Sequence, residues 1–340
     1  MRLGFGLITC QRHPDDPRSD TDLYRDGIAL SRLAEQVGFD SVWLSEHHFL
    51  DDGYMPSLLV TAAAVAQATE RIGIGTGVLL APLHDPIRLA EDAATVDLIS
   101  GGRLILGLGA GWREEEFELF GVGLSERPAR IRETVAILRA AWSDDAITFE
   151  GRHYRYDRAF VTPKPTRPIP IWLGAFAPAA IKRAGRIADG FLGSSSGTSG
   201  IEGFDQARQV ALEGLAAAGR DPATFTFALH VPVYCSESAN AWDEVRPWYN
   251  YLRWKYPDMA GSRGRVGPPT APPALDDEDR LRSSIVCGSP QQVVDEVGRF
   301  RDTLGDDVHF IFRSDFPGMP FGQSTRHVEV LGLKVLPHLR

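Results

Sequence analysis

The chain is poor in cysteine and has no long apolar segment, and each shortage excludes a class of protein. It has three cysteines, Cys10, Cys235 and Cys287, an odd number at wide spacing with no CxxC pair. That pattern argues against a disulfide framework and a zinc ribbon, and it fits a reducing compartment. No apolar run approaches the roughly 20 residues that cross a bilayer, and Met1 leads directly into a strand-like segment. We therefore expect no signal peptide, no membrane span and a cytoplasmic location.

Basic charge is also scarce. The 340 residues include 36 Lys and Arg against 45 Asp and Glu, a formal net charge of −9. Nucleic-acid binding needs a basic face that neutralises phosphates, so nucleic acid is excluded as the main partner. The 43% of hydrophobic and 24% of charged residues are typical of an ordinary globular protein.

Eight strand-like apolar segments alternate with helix-like segments along the whole chain. This alternation is typical of a parallel sheet, and eight such units are typical of a closed barrel. The sequence therefore predicts an α/β fold, a (β/α)8 TIM barrel with insertions, as one domain over residues 1–340. A doubly wound open sheet is the alternative. The predicted strands are Leu3–Thr9, Val42–Leu44, Ile72–Leu80, Leu104–Leu108, Ile171–Gly174, Phe191–Gly193, Phe225–Val233 and Val308–Arg313.

A few segments stand out from this alternation. Thr148–Tyr156 reads as a small β-hairpin outside the main repeat. Glu114–Phe120 is predicted to be a short acidic helix, and Ala239–Trp254 a longer one. Ser262–Asp279 is rich in glycine, proline and charge, and is therefore predicted to be a loop.

The stretch Ser41–Phe49, S-V-W-L-S-E-H-H-F, places Glu46, His47 and His48 at the end of a buried strand. Histidine titrates near neutral pH, which suits it to proton transfer. An alternative is that both are ordinary loop histidines. In a barrel the carboxyl ends of all strands face one mouth, where active sites lie. The other predicted strand ends are Thr9-Cys10, Gly77-Val78 with His84 beyond, Gly109–Trp112, Gly174–Ala177, Gly193–Ser196, His230 with Tyr234, and Arg313 with Asp315.

The small residues at these strand ends suit a flat aromatic ring, because the backbone can approach it closely. Ala175–Ala180 leads directly into a predicted helix, whose free amides can bind a phosphate. A metal-dependent hydrolase is an alternative, with ligands among His47, His48, His84, His230 and Asp315, but no HxH spacing occurs. The glycine-rich Gly107–Trp112 lacks the third glycine and the following acidic strand end of a dinucleotide-binding fingerprint.

Several motifs together resemble the bacterial-luciferase-like flavin-dependent monooxygenases. The motifs are G-F-D-S-V-W-L-S-E-H-H-F (Gly38–Phe49), I-G-I-G-T-G-V-L-L-A-P-L-H-D-P (Ile72–Pro86), D-L-I-S-G-G-R-L-I-L-G-L-G-A-G-W (Asp97–Trp112), F-E-G-R-H-Y (Phe149–Tyr154), P-I-P-I-W-L-G (Pro168–Gly174), A-D-G-F (Ala188–Phe191) and G-S-P-Q-Q-V (Gly288–Val293). The resemblance covers nearly the whole chain and implies the same barrel fold. It also implies a mobile lid insertion around residues 255–282, in which Arg263 and Arg265 either clamp an anionic ligand or belong to a solvated loop.

The resemblance implies a two-component enzyme as the leading hypothesis. Such a monooxygenase uses reduced FMN from a separate flavin reductase and molecular oxygen to oxidise a small organic substrate, commonly as a homo-oligomer. The alternative within the same fold is a deazaflavin-dependent oxidoreductase that transfers hydride. A non-catalytic flavin-binding protein is the third hypothesis. The sequence does not separate FMN from the deazaflavin coenzyme.

Matching residue by residue, the resemblance implies that His47 is the catalytic acid or base, that Glu46 orients or stabilises it, and that His230 is a further catalytic residue. The role of His48 stays open. Three positions depart from the family: Ala110 stands where luciferases have a phosphate-binding arginine, Gly109 where they have a reactive cysteine, and Ala228 where sulfonate monooxygenases have an arginine. The expected cofactor-binding residues are Gly77 and Val78, joined by a cis peptide, with Ala110, Gly174, Ala175, Phe176, Ala177 and Ser194. No metal site is expected.

Overall fold

The computed structural model describes residues 1–143, 145–195 and 200–340. Its strands are β1 (Arg2–Ile8), β2 (Ser41–Leu44), β3 (Gly73–Thr76), β4 (Leu79–Leu80), β5 (Leu104–Gly109), β6 (Ile147–Glu150), β7 (Arg155–Ala159), β8 (Ile171–Gly174), β9 (Gly190–Ser194), β10 (Thr226–Cys235), β11 (Val286–Gly288) and β12 (His309–Arg313). Its α-helices are α1 (Asp20–Gln36), α2 (Leu58–Ala68), α3 (Pro86–Ser100), α4 (Glu114–Leu119), α5 (Arg127–Ser143), α6 (Pro178–Ile187), α7 (Gly200–Ala217), α8 (Ala241–Ala260), α9 (Glu278–Arg282), α10 (Pro290–Leu304), α11 (Phe321–Lys334) and α12 (Leu336–Leu339).

Eight parallel strands close into a barrel. Their order is β1, β2, β3, β5, β8, β9, β10 and β12, and β12 pairs again with β1. This closure confirms the predicted (β/α)8 barrel, and the open doubly wound sheet is wrong. The short strand β4 extends the sheet beside β5, and β11 pairs with the end of β10. The predicted hairpin is also present, as the antiparallel pair β6 and β7.

The barrel interior is filled by large apolar side chains from alternating strand positions. The indoles of Trp43 and Trp172 stack with ring centroids 5.2 Å apart, and Leu192, Ala228 and Ile311 pack against them. A Cβ on Gly75 would lie 2.4 Å from the Trp43 ring, so this strand position must be glycine to admit the indole. The outward faces of the strands bury a second, larger cluster against the surrounding helices.

Helix ends follow local sequence signals. Ser19 and Ser289 cap α1 and α10 with reciprocal capping boxes. The helix predicted to end at Trp254 continues to Ala260 as α8, although Pro257 lies inside it. The short elements α9 and β11 lack a sequence prediction. Within the described residues, no helix has the length and apolar character needed to cross a membrane.

Candidate active site

His47 lies at the barrel mouth, in the loop that follows β2, and it is paired with a carboxylate from another element. Its Nδ1 donates to Glu116 Oε1 at 2.9 Å, and the same oxygen accepts the backbone N–H of His48 at 2.9 Å. Glu116 belongs to α4 and is fully buried. The expectation that Glu46 orients His47 is therefore wrong, because this role falls to Glu116.

Glu46 instead holds the loop in place. Its carboxylate accepts hydrogen bonds from His48 Nε2 at 2.6 Å, His84 Nε2 at 3.0 Å and the backbone N–H of Leu80 at 3.0 Å. Burial would raise the pKa of Glu46, but the hydrogen bonds from His48 and His84 outweigh it and lower this pKa to about 2. Glu46 is thus an ionised anchor between the His47 loop and the segment after β4, and His48 is part of that anchor.

Aromatic side chains surround the His47 ring. Its centroid lies 4.9 Å from that of Tyr54, 5.9 Å from Trp112 and 6.1 Å from Tyr256. Among the described residues, none forms a hydrogen bond with His47 Nε2. With Nδ1 committed to Glu116, the Nε2 atom is the one that can exchange a proton with a molecule in the mouth.

The floor of the mouth is built from small residues around one aliphatic side chain. The Gly77–Val78 peptide bond is cis, as the resemblance implies. A Cβ on Gly109 would lie 2.3 Å from Val78, and a Cβ on Gly174 would lie 2.8 Å from it. These strand ends are therefore glycine because the Val78 side chain occupies the space above them. The result is a platform with few protruding side chains.

His230 lies beneath this platform. A Cβ on Gly77 would lie 3.3 Å from His230 Nε2, which is buried and has no hydrogen-bond partner in the described part of the chain. Burial, with smaller contributions from Arg313 and His309, lowers the pKa of His230 to about 3. His230 is therefore neutral at physiological pH. Its Nε2 atom can form a hydrogen bond at the platform. The two histidines have separate surroundings, because the His47 ring contacts Tyr54, Trp112 and Tyr256.

The remaining expected cofactor-binding residues lie at the ends of β5, β8 and β9. Ala175 and Ala177 precede α6, whose first turn has no side-chain cap, and the Phe176 side chain is 66% exposed. Ala110 follows β5 and is half-buried. Ser194 ends β9 beside His230. Ser196, the last residue of one predicted strand end, lies outside the described residues.

Arg113 and Lys255 connect the His47 loop to the segment after α8. The Arg113 guanidinium donates to the carbonyl of His48 at 2.9 Å, the carbonyl of Met259 at 3.1 Å and the hydroxyl of Ser262 at 3.2 Å. The buried Lys255 ammonium forms ion pairs with Asp51 of the same loop and with Asp258. The end of α8 is therefore fastened to the loop that positions His47. That this segment moves as a lid remains a prediction.

The two arginines considered for an anion clamp are occupied by the protein itself. Arg263 pairs with Glu118 at 2.7 Å, and Arg265 pairs with Asp258 at 2.8 Å. Both arginines are thus paired within the protein and not free to clamp a ligand, and Arg263 is exposed, as the solvated-loop alternative expects. The metal-dependent hydrolase alternative also lacks support. Among the described residues, no group of three or more His, Cys, Asp or Glu side chains is placed so that it could hold a metal ion.

The geometry fits a flat ring system bound at the mouth. The platform of Gly77, Val78 and Gly174 supplies a surface for one face of a ring, and the unpaired Nε2 of His230 supplies a polar contact beneath it. His47 supplies a proton-transfer group at the side. A closed parallel barrel with this mouth matches the arrangement that the sequence resemblance implies for a luciferase-like, flavin-dependent oxidoreductase.

Comparison with known proteins agrees with this class. Residues 2–307 match the model of the luciferase-like monooxygenase family, and the chain belongs to that family. Over 324 residues it is 36% identical to the F420-dependent glucose-6-phosphate dehydrogenase of Kineococcus radiotolerans, covering 90% of each chain. Over 323 residues it is 32% identical to the enzyme of that name from Nakamurella multipartita, covering 92% of this chain and 91% of the relative.

A solved structure supports the fold. The monooxygenase RslO1 from Streptomyces bottropensis superposes with a TM-score of 0.88 over 100% of both chains, at 24% identity. At this identity the match concerns the architecture of the barrel. The suspected family and the barrel fold are thus confirmed.

Proposed function

We propose that the protein is a deazaflavin-dependent oxidoreductase that transfers hydride between coenzyme F420 and a hydroxyl-bearing carbon of a small organic substrate. The observation that carries this proposal is the buried His47–Glu116 pair, which leaves the Nε2 of His47 to act at the mouth. The relatives named as F420-dependent dehydrogenases support the choice of coenzyme.

In the proposed reaction His47 accepts the hydroxyl proton of the substrate while a hydride leaves the carbon that bears this hydroxyl. When bound, the deazaflavin supplies the two-electron acceptor for that hydride. Glu116 stabilises the imidazolium that forms, because a charge-assisted hydrogen bond is about twice as strong as a neutral one. Glu46 and Arg113 fix the loop, so that the Nε2 atom is positioned before the substrate arrives.

The coenzyme ring would rest on the platform described above. His230 would lie beneath the ring. The residues that would hold the ring and the phosphate of the coenzyme are Gly77, Val78, Ala110, Gly174, Ala175, Phe176, Ala177 and Ser194. With Ala110 in place of the family arginine, the backbone before α6 would provide the phosphate contacts.

The leading hypothesis from the sequence is an FMN-dependent monooxygenase, with molecular oxygen and a flavin reductase as partners. The family description supports that chemistry in general terms. The similarity to F420-dependent relatives over about nine-tenths of the chain supports the hydride-transfer alternative better. Homo-oligomer formation stays a prediction under either hypothesis. The His47–Glu116 pair argues against a non-catalytic binding protein, which has no use for a buried proton-transfer pair.

The test is an anaerobic screen of purified protein with oxidised coenzyme F420 and a panel of sugar phosphates, secondary alcohols and hydroxy acids. Glucose 6-phosphate is included because the relatives from Nakamurella multipartita and Kineococcus radiotolerans are named F420-dependent glucose-6-phosphate dehydrogenases. Loss of the coenzyme's visible absorbance with at least one alcohol would support the proposal. Absence of reduction with every alcohol, together with oxygen-dependent turnover on reduced FMN, would overturn it.

A further inference from the structure

Arg313 ends β12 and points into the barrel mouth. Side chains alternate along a strand, and Ile311 packs inside the barrel against Trp43 and Trp172. Phe310 and Phe312 belong to the outer cluster beneath the helices. Arg313 therefore shares the inward face with Ile311 and forms the uppermost layer of the interior.

The Arg313 guanidinium has one described hydrogen-bond partner among the side chains, and that partner is a phenol and not a carboxylate. Its Nη2 donates to the Tyr256 hydroxyl at 3.2 Å, and its central carbon lies 5.2 Å from the centre of the Tyr256 ring. Its Nε is buried and makes no hydrogen bond within the described residues. Across residues 1–143, 145–195 and 200–340, no carboxylate forms an ion pair with it, and its side-chain hydrogen bond goes to Tyr256.

Three other cations that are largely removed from water each pair with a carboxylate. Lys255 pairs with Asp51, Arg113 with Glu115, and Arg18 with Asp16. A cation removed from water is costly unless an anion accompanies it. The nearest acid in sequence, Asp315, forms no ion pair with Arg313 and accepts from the backbone of Thr9 at 3.4 Å. Burial raises the pKa of Asp315 to about 6, although the hydrogen bond from Thr9 and the charges of Arg18 and Arg313 act to lower it. The cation at the mouth thus has no carboxylate in direct contact within the described chain, and Asp315 acts on it only at longer range.

Tyr256 links this cation to the proton-transfer pair. Its ring centroid lies 6.1 Å from that of His47, and its hydroxyl accepts from Arg313. A hydroxyl that accepts one hydrogen bond still has its own proton to donate. Burial would raise the pKa of Tyr256, but the charge of Arg313 and the hydrogen bonds outweigh it and lower that pKa. The Tyr256 hydroxyl also interacts with Tyr54. Arg313 and Tyr256 therefore lie together beside the His47 ring.

We propose that Arg313 and Tyr256 form a carboxylate-binding subsite, so that the substrate is a small hydroxy acid. The proposal rests on the hydride-transfer function. The guanidinium fork matches a carboxylate, while the hydroxyl of the same molecule reaches His47. The carbinol C–H leaves as hydride to the oxidised coenzyme, and the O–H proton goes to His47. The hydroxy acid becomes an oxo acid, and the coenzyme is reduced by the same two electrons.

The test compares two ligands of nearly the same shape that differ in charge. Calorimetric titration of the protein with benzoate and with benzamide at neutral pH measures what the subsite contributes without requiring turnover. Hydrogen bonds to a charged group predict that benzoate binds roughly 10- to 100-fold more tightly than benzamide. Equal affinities, or no benzoate binding with or without bound coenzyme, would overturn the proposal.

Variants assign the effect to this residue. Arg313→Gln should abolish the preference for benzoate, whereas Arg263→Gln, which removes an exposed arginine paired with Glu118, should retain it. If Arg313→Gln does not fold, Tyr256→Phe provides the second variant and should reduce the preference by several-fold. An unchanged preference in Arg313→Gln would contradict the proposal. Weaker coenzyme binding with an unchanged preference would also contradict it, because the anion would then belong to the coenzyme.

This test and the alcohol screen can fail separately. A charge preference that depends on Arg313 in a protein that reduces no deazaflavin would retain the subsite and refute the hydride-transfer function. Coenzyme reduction by neutral alcohols and by hydroxy acids at equal efficiency would retain the function and overturn the substrate class.

Discussion

Glu116→Gln removes the negative charge beside His47 and leaves the shape of the buried side chain nearly unchanged. In the wild type one carboxylate oxygen accepts two hydrogen bonds, from His47 Nδ1 and from the backbone of His48, both at 2.9 Å. The amide oxygen of Gln can still accept both. The substitution therefore tests the charge rather than the packing.

The expected size of the effect follows from the kind of hydrogen bond that is lost. Bonds to a charged group contribute about 1.5–3 kcal/mol and neutral ones about 0.5–1.5 kcal/mol. The imidazolium that forms during proton transfer should therefore lose roughly 1–2 kcal/mol of stabilisation. At about 1.4 kcal/mol per factor of ten, the rate of hydride transfer should fall roughly 5- to 30-fold.

The assay is single-turnover reduction of bound coenzyme by the best substrate from the screen. Glu118→Gln is the matched control, because Glu118 belongs to the same helix but is half-exposed and paired with Arg263. The control should retain the wild-type rate, and coenzyme affinity should be similar in all three proteins. A Glu116→Gln rate within twofold of the wild type would refute the role of the carboxylate.

Two further predictions concern the neighbouring residues. His47→Ala should lower turnover by roughly 10²- to 10⁴-fold, the usual contribution of general acid–base catalysis, and leave coenzyme affinity within about tenfold by fluorescence titration; unchanged turnover would remove His47 from the mechanism. Glu46 has a pKa of about 2 in the folded protein against 4.5 ordinarily, so its ionisation stabilises the fold above about pH 4.5 and this contribution is lost as the pH falls toward 2. Urea unfolding should therefore show Glu46→Gln less stable than the wild type at pH 6, by up to about 3 kcal/mol, with a smaller difference at pH 3; a difference independent of pH would contradict this assignment.

The barrel could be predicted from the sequence because its strands are buried on both faces and each is followed by a helix-like segment. The end of α8 and the strand β11 were not predicted correctly, and each has a local cause. The helix predicted to end at Trp254 continues to Ala260 as α8, because the buried Lys255 forms ion pairs with Asp51 and Asp258 that hold this turn in the helix. The three-residue strand β11 is too short to have a period, and it forms only by pairing with β10.

The site was predicted in part. The strand ends placed His47 and Gly77-Val78 at the mouth, and the family resemblance supplied the expected role of His47 and the cis peptide. Glu116 was missed because three glutamates follow one another, and only the rotation of α4 determines that the third is buried. The assignment of Glu46 to His47 failed because the two are adjacent in the chain, and their side chains reach different partners. Arg313 was visible as a strand end, but its missing counter-charge could be seen only in three dimensions.

The most direct test of the account is an anaerobic titration of the purified protein with reduced coenzyme F420 and, separately, with reduced FMN, each followed by exposure to air. The account predicts tight binding of the deazaflavin coenzyme, weak binding of FMN, and no reaction of the bound deazaflavin with oxygen. Tight binding of reduced FMN followed by rapid reaction with oxygen, without binding of the deazaflavin, would contradict it.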